Sequence, residues 1–153
     1  MLFNPNFDLT LERIVDVPAH KIWEAWTVPA KLMPWFCPKP WSVSECEIDL
    51  RPGGKFYTLM RGPNGESMPN TGCFLEIIPD RKLVWTGALG EDFRPNPVDH
   101  LGFPFTGVIE LSPHGGAQNT SPLFCITAKK TVIPMRKWVL RRAGAPRSIK
   151  WWR

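Results

Sequence analysis

From Gly116 to Arg153 the sequence contains no aspartate and no glutamate. Residues 1–115 hold ten Lys/Arg against fourteen Asp/Glu, a net of −4, whereas the last 38 residues hold nine Lys/Arg and a net of +9. The overall charge of +5 therefore averages two unlike segments. A basic field that would draw nucleic acid or an anionic membrane is not a property of the first 115 residues.

Other absences narrow the chemistry. Cys37, Cys46, Cys73 and Cys125 stand far apart with no C-x-x-C pair, which argues against a zinc cluster and against a small secreted disulfide framework. They read as reduced, mostly buried thiols. His20, His100 and His114 have neither H-x-x-x-H nor H-E spacing, so no metal site is expected. No G-x-S-x-G, P-loop or Rossmann pattern occurs, and RPGG at 51–54 lacks the following helix and Lys-Ser/Thr of a phosphate cradle. It reads as a hairpin turn. No cofactor is expected. No stretch approaches the roughly 20 apolar residues that span a bilayer, and the first 22 residues carry charges throughout without an apolar signal core. A cytoplasmic protein with no nucleic-acid or membrane partner is the expectation.

What is present is a chain of 153 residues, suited to one domain with one real core, and a heavy aromatic load. Eight tryptophans and nine phenylalanines accompany a single tyrosine, enough apolar surface for a packed interior or a ligand cavity. FDLTLERIVDV, residues 7–17, alternates apolar and polar residues as a strand does. In VPAHKIWEAWT, Pro18 suits a helix start, and Ile22, Trp23 and Trp26 share one apolar side. Val28-Pro29 breaks that helix, and AKLMPWF allows one or two further turns before Pro34, Pro38 and Pro40 forbid more.

From Trp41 onward the pattern is β. WSVSECEIDL, KFYTLMR, NTGCFLEII, LVWTGAL and FTGVIELSP follow one another, joined by RPGG, GPNGE, PDRK and the looser GEDFRPNPVDHLGFP. Strand, short helices and at least five antiparallel strands define an α+β fold on a strongly curved sheet. Its concave apolar face requires a long closing helix, for which the tail is a poor candidate because Pro134 and Pro146 interrupt it.

LERIVDVPAHKIWEAWTVPAKLMPWF, DLRPGGKF, MRGPNGE and FLEIIPDRKLVWTGAL, within residues 8–115, resemble the START/polyketide-cyclase (SRPBCC) superfamily. Within it they look most like bacterial homologues of the heat-shock protein 90 ATPase activator C-terminal domain. The resemblance implies a helix-grip fold, in which a curved antiparallel sheet wraps a long C-terminal helix over an apolar cavity. It also implies, by family alone, a chaperone partner.

The tails of that family typically read T-K-Y-T and then H-x-x-x-D-R-x-x-H-E-x-M-G-F-x-x-G-W-G, a passage absent here. It is recovered if each codon from Gly116 onward starts on the last base of the one before. Ala117-Gln118-Asn119 then gives T-K-Y, Cys125–Trp138 gives H-H-S-E-K-D-R-H-T-H-E-K-M, and Trp138–Gly144 gives G-F-A-Q-G-W. Residues 1–115 are accordingly expected to form an incomplete START-like domain, and 116–153 a basic tail out of the family's frame. Arg/Trp clusters such as RKWVLRR and KWWR then need no membrane or single-strand ligand to explain them. A closing helix buries several large side chains at about 1.5–3 kcal/mol each, against a domain stability of about 5–15 kcal/mol. Its loss predicts a poorly soluble or partly unfolded chain.

Glu45, Glu47 and Asp49 alternate as paired acids might, but they read as a solvent face opposite Cys46, Ile48 and Leu50. The aromatics carry more. Trp26, Trp35, Phe36, Trp41, Phe56, Phe74, Trp85 and Phe105, with Phe103, are the candidate lining of a cavity in a helix-grip fold. The functional expectation is a small soluble domain that binds a hydrophobic small molecule, apolar or aromatic, between sheet and helix without covalent chemistry. A cyclase- or hydrolase-type enzyme on the same scaffold is the alternative, with a chaperone-cofactor domain as a third reading. Nucleotide sequencing across the codons of His114 to Ala117 tests the frame: a single-base change there should restore the D-R-x-x-H-E reading, and its absence would sink the idea.

Overall fold

A computed structural model describes residues 8–97, 105–114 and 121–130. Strand β1 (Asp8–Ile14) leads into helices α1 (Ala19–Thr27) and α2 (Pro29–Phe36). Then come β2 (Ser42–Ile48), β3 (Lys55–Arg61), β4 (Ser67–Ile78), β5 (Lys82–Thr86), a 3₁₀ turn at Glu91–Phe93, β6 (Phe105–His114) and β7 (Ser121–Lys130). The strands form one antiparallel seven-stranded sheet in the order β1-β7-β6-β5-β4-β3-β2. Sequence patterning foresaw an α+β fold of this order, and the sheet adds β7, which pairs with both β1 and β6. The expected division at 115/116 falls in the connection before β7, at residues 115–120, outside the described residues. The expected basic tail, 116–153, contributes β7 to the sheet, and the passage read as the displaced closing helix, Cys125–Gly144, lies outside the described residues beyond Lys130.

Because β1 and β2 occupy opposite edges, α1 and α2 must carry the chain from one side of the sheet to the other. They do so across its inner face. Leu32 of α2 is fully buried among Phe56, Phe74, Leu83, Trp85, Ile109 and Leu111, which come from four successive strands. Ala19, Ile22, Trp23 and Trp26 of α1 pack against that cluster, the face that their spacing predicted. A single extended residue, Val28, separates the helices, with Pro29 at the first position of α2. Helix α2 makes the two turns allowed to AKLMPWF, with Pro34 inside it. In so short a helix the proline forfeits only the bond to the carbonyl of Ala30, near the first turn, and the burial of Leu32 offsets that loss.

The hairpins follow their turn chemistry. Gly65 adopts φ +88° in GPNGE, where the Glu66 carboxylate accepts from the Asn64 backbone N–H at 2.9 Å and from its side-chain amide at 3.0 Å. Those bonds hold the Glu66 carboxyl below its ordinary range. In RPGG, Gly53 adopts φ +76° and donates to the Phe74 carbonyl at 2.7 Å, while the Phe93 ring covers its α-carbon. Asp92 and Phe93 both take left-handed backbone, costly for a phenylalanine. Arg51 fastens this corner, its guanidinium bonded to Asp92 at 3.2 Å and paired with Asp49 at 2.6 Å, which raises its pKa. These contacts are half-exposed and individually weak.

Gly107 of β6 lies directly opposite Trp85 of β5, and a methyl group built on it would come within 2.3–2.6 Å of the indole ring atoms. The absent side chain is what lets Trp85 lie flat on the sheet and reach the helices. Replacing Gly107 with Ala should destabilise the domain by about 1–3 kcal/mol through overpacking. Chemical denaturation would read that loss, together with a shift in Trp85 emission; unchanged stability would show that the ring does not rest there.

Candidate aromatic binding face

Six of the eight candidate residues form one connected aromatic run. Trp35 meets Trp26 edge-on at 4.7 Å between ring centroids, and Trp26 meets Trp85 at 5.4 Å. Trp85 then contacts Phe56 at 5.9 Å, and Phe56 stacks on Phe74 at 5.3 Å. Phe36 touches Trp26, Trp35 and Phe56. The topology explains the convergence: Phe56, Phe74 and Trp85 point inward from adjacent strands β3, β4 and β5, while Trp26, Trp35 and Phe36 descend from α1 and α2.

The run grades from interior to surface. Phe74 is fully buried, Phe56 and Trp85 nearly so, Trp26 and Phe36 are half-buried, and Trp35 is 42% exposed. Phe105 is half-buried and packs against the same cluster. Trp41 does not join this run. It packs with Met33, Phe36, Cys46 and Met68 around a second cluster of Cys37, Val43 and Met60. Phe103 lies outside the described residues. Sequence reasoning missed Leu32, which anchors the helices, and the half-buried Ile22 and Trp23 beside the aromatics, although the i, i+1, i+4 pattern had already placed the latter two on the apolar side.

The ionisable groups sit elsewhere. Glu45 and Glu47 point to solvent from β2; Lys55 pairs with Glu47 across to β3 at 2.6 Å, and that bond raises the lysine pKa. Asp49 is held by Arg51. Leu50, expected inward with Cys46 and Ile48, is 41% exposed because it stands beyond the end of β2, in the turn. His20 is exposed on α1; His100 and the side chain of His114 lie outside the described residues. Glu24 bonds Lys31 and Lys21, which lowers its pKa. Lys82 bridges Glu76 at 2.8 Å and Glu110 at 3.7 Å on the outer face of the sheet. No group of three or more His, Cys, Asp or Glu suited to a metal occurs among the described residues.

Cys37, Cys46 and Cys73 are not joined in disulfides. Burial, with Glu47 adjacent, pushes the Cys46 thiol up to about 11, and burial raises that of fully enclosed Cys73 as well. Neither is an activated nucleophile. No helix among the described residues is long and apolar enough to cross a membrane.

A sheet gripping helices on one face, lined with aromatics and carrying its charges outward, defines a START-like, helix-grip domain. Comparison with known proteins places it more closely. The family described as Activator of Hsp90 ATPase homolog 1-like protein matches residues 16–121, and the chain belongs to that family. A crystal structure of a protein from Nitrosomonas europaea is similar at 40% identity and TM-score 0.77, over 88% of this chain and 82% of that one. A Chromobacterium violaceum protein (19% identity, TM-score 0.68, 86% of each chain) and a Mycobacterium smegmatis protein (23%, 0.63, 90% of this chain and 80% of that one) share the fold. Among curated proteins no match is found.

The native protein should resist alkylation at pH 7.5, where less than about one part in a thousand of Cys46 is thiolate. Glu47→Gln should lower the Cys46 pKa modestly. Mass spectrometry of iodoacetamide-treated protein checks both, and labelling of Cys46 as fast as in the denatured chain would contradict the burial described.

Proposed function

We propose that this protein is a binding domain for an apolar or aromatic small molecule, which it holds against the aromatic face without covalent chemistry. The observation that supports this reading is the graded run from Phe74 to Trp35, whose outer members Trp26 and Phe36 are half-buried and Trp35 exposed beside a hydrophobic core, with half-buried Phe105 packed against the same core. Aromatic faces of this kind bind flat apolar bodies by stacking and edge contacts, each worth about 0.5–1.5 kcal/mol beyond area burial. The carboxylates that an enzyme would need, Glu45, Glu47 and Asp49, stand on the solvent side and do not converge on this face. A cyclase or hydrolase would have to draw its acid and base from other residues.

The reading of residues 116–153 as out of frame is part of the same proposal, because the ligand would lie between this face and the closing helix that the restored frame supplies. Its support is the carboxylate-free composition together with the recoverable family motif.

In protein expressed with the restored frame, toluene, an uncharged aromatic probe, should quench or shift tryptophan emission saturably. Trp26→Ala should weaken its binding about twofold to tenfold. A linear, non-saturating response, or identical affinity in the variant, would refute the site.

A further inference from the structure

A second concavity lies at the far side of Phe36. Helix α2 ends at Phe36 and the chain must reverse into β2 at Ser42. Pro38 and Pro40 lack N–H donors, so the helix cannot continue, and the chain turns at Lys39 and Pro40. A cleft of about 610 Å³ is left in this corner, lined by Met33, Cys37, Lys39, Trp41, Ser42 and Val43 together with Pro34 and Pro40. That volume falls within the range of small-molecule sites.

The lining divides into a body and a head. Met33 and Cys37, four residues apart at the end of α2, and Val43, buried on β2, form the apolar floor with the half-buried Trp41 indole. The polar contribution comes from Lys39 and Ser42, both exposed at the rim. Lys39 differs from its counterparts. Lys21, Lys31, Lys55 and Lys82 each pair with a carboxylate, whereas Lys39 has no such partner among the described residues. A fixed apolar slot with one unneutralised cation and one hydroxyl at its mouth is complementary to a flat hydrophobic body bearing a single negative charge.

We propose that this corner is a binding site for a small aromatic or apolar carboxylate, with the body against Trp41, Met33 and Val43 and the carboxylate accepting hydrogen bonds from Lys39 Nζ and the Ser42 hydroxyl. The site is separate from the aromatic face proposed above and does not depend on it. Met33 and Cys37 give the floor polarizable sulfur atoms, which favour an aromatic body over a purely aliphatic one.

The test compares 2-naphthoate with its uncharged analogue 2-naphthamide by isothermal titration calorimetry on the full chain. The naphthoate should bind more tightly, and Lys39→Gln should weaken it about threefold to tenfold while leaving the amide unchanged. The scale is that of a half-exposed charge pair. Raising salt should weaken the naphthoate alone, and Trp41→Leu should weaken both ligands. Lys39 is exposed, so its variant is expected to fold, which thermal melting verifies. No saturable binding of naphthoate at about 5 mM, a concentration at which an affinity of about 1 mM would register, overturns the proposal. So does equal affinity in Lys39→Gln. Naphthoate binding lost in Trp26→Ala but kept in Trp41→Leu also overturns it, since the ligand would then sit on the other face.

Discussion

Everything on the inner face turns on the place that Trp85 is given by Gly107. The indole has no room unless its cross-strand neighbour lacks a side chain, and once laid there it contacts Trp26 above and Phe56 beside it. Leu32 then finds a fully closed environment, which contributes about 1.5–3 kcal/mol and fixes α2 over the centre of the sheet. Shifting β6 by one residue would put a side chain under Trp85 and turn Ile109 and Leu111 to the opposite face. Helix placement, aromatic run and sheet register are thus one constraint seen from three sides.

Charge plays the complementary part. Acids and bases on the sheet pair across strands on the outer side, as Lys55 does with Glu47 and Lys82 with Glu76 and Glu110. Such half-exposed pairs contribute little to stability. Their consequence is segregation: the cluster around Leu32 is built of hydrophobic side chains, and burial, with the Glu47 charge adjacent, raises the pKa of Cys46. The same segregation makes an unpaired lysine at a cleft mouth stand out.

Much of this was legible from residue order. Alternation in FDLTLERIVDV and WSVSECEIDL placed two strands, turn-bounded runs such as KFYTLMR and LVWTGAL the others, Gly and Asn placed the hairpins, and Ile22-Trp23-Trp26 gave the buried side of α1. Six of the eight candidate aromatics do meet, because their strands are sequential neighbours. Trp41 stands apart from that run for a local reason: it precedes β2, so strand alternation does not govern its direction. Leu50 left the inner face in the same way, by standing past the strand end. The cleft beside Lys39 had no pattern to announce it, since it arises from a helix end meeting a sheet edge rather than from any periodicity.

The register shift in β2 between Val43 and Glu45 has a further effect. Among the described residues β2 pairs only with β3, so its other side offers unpaired amides and carbonyls to any passing extended chain. A bulge breaks the even spacing that a docking strand would need, and Glu45 and Glu47 place like charges along the margin. The irregularity therefore acts as a guard against fibrillar self-association, keeping a β-rich chain from growing sheet upon sheet.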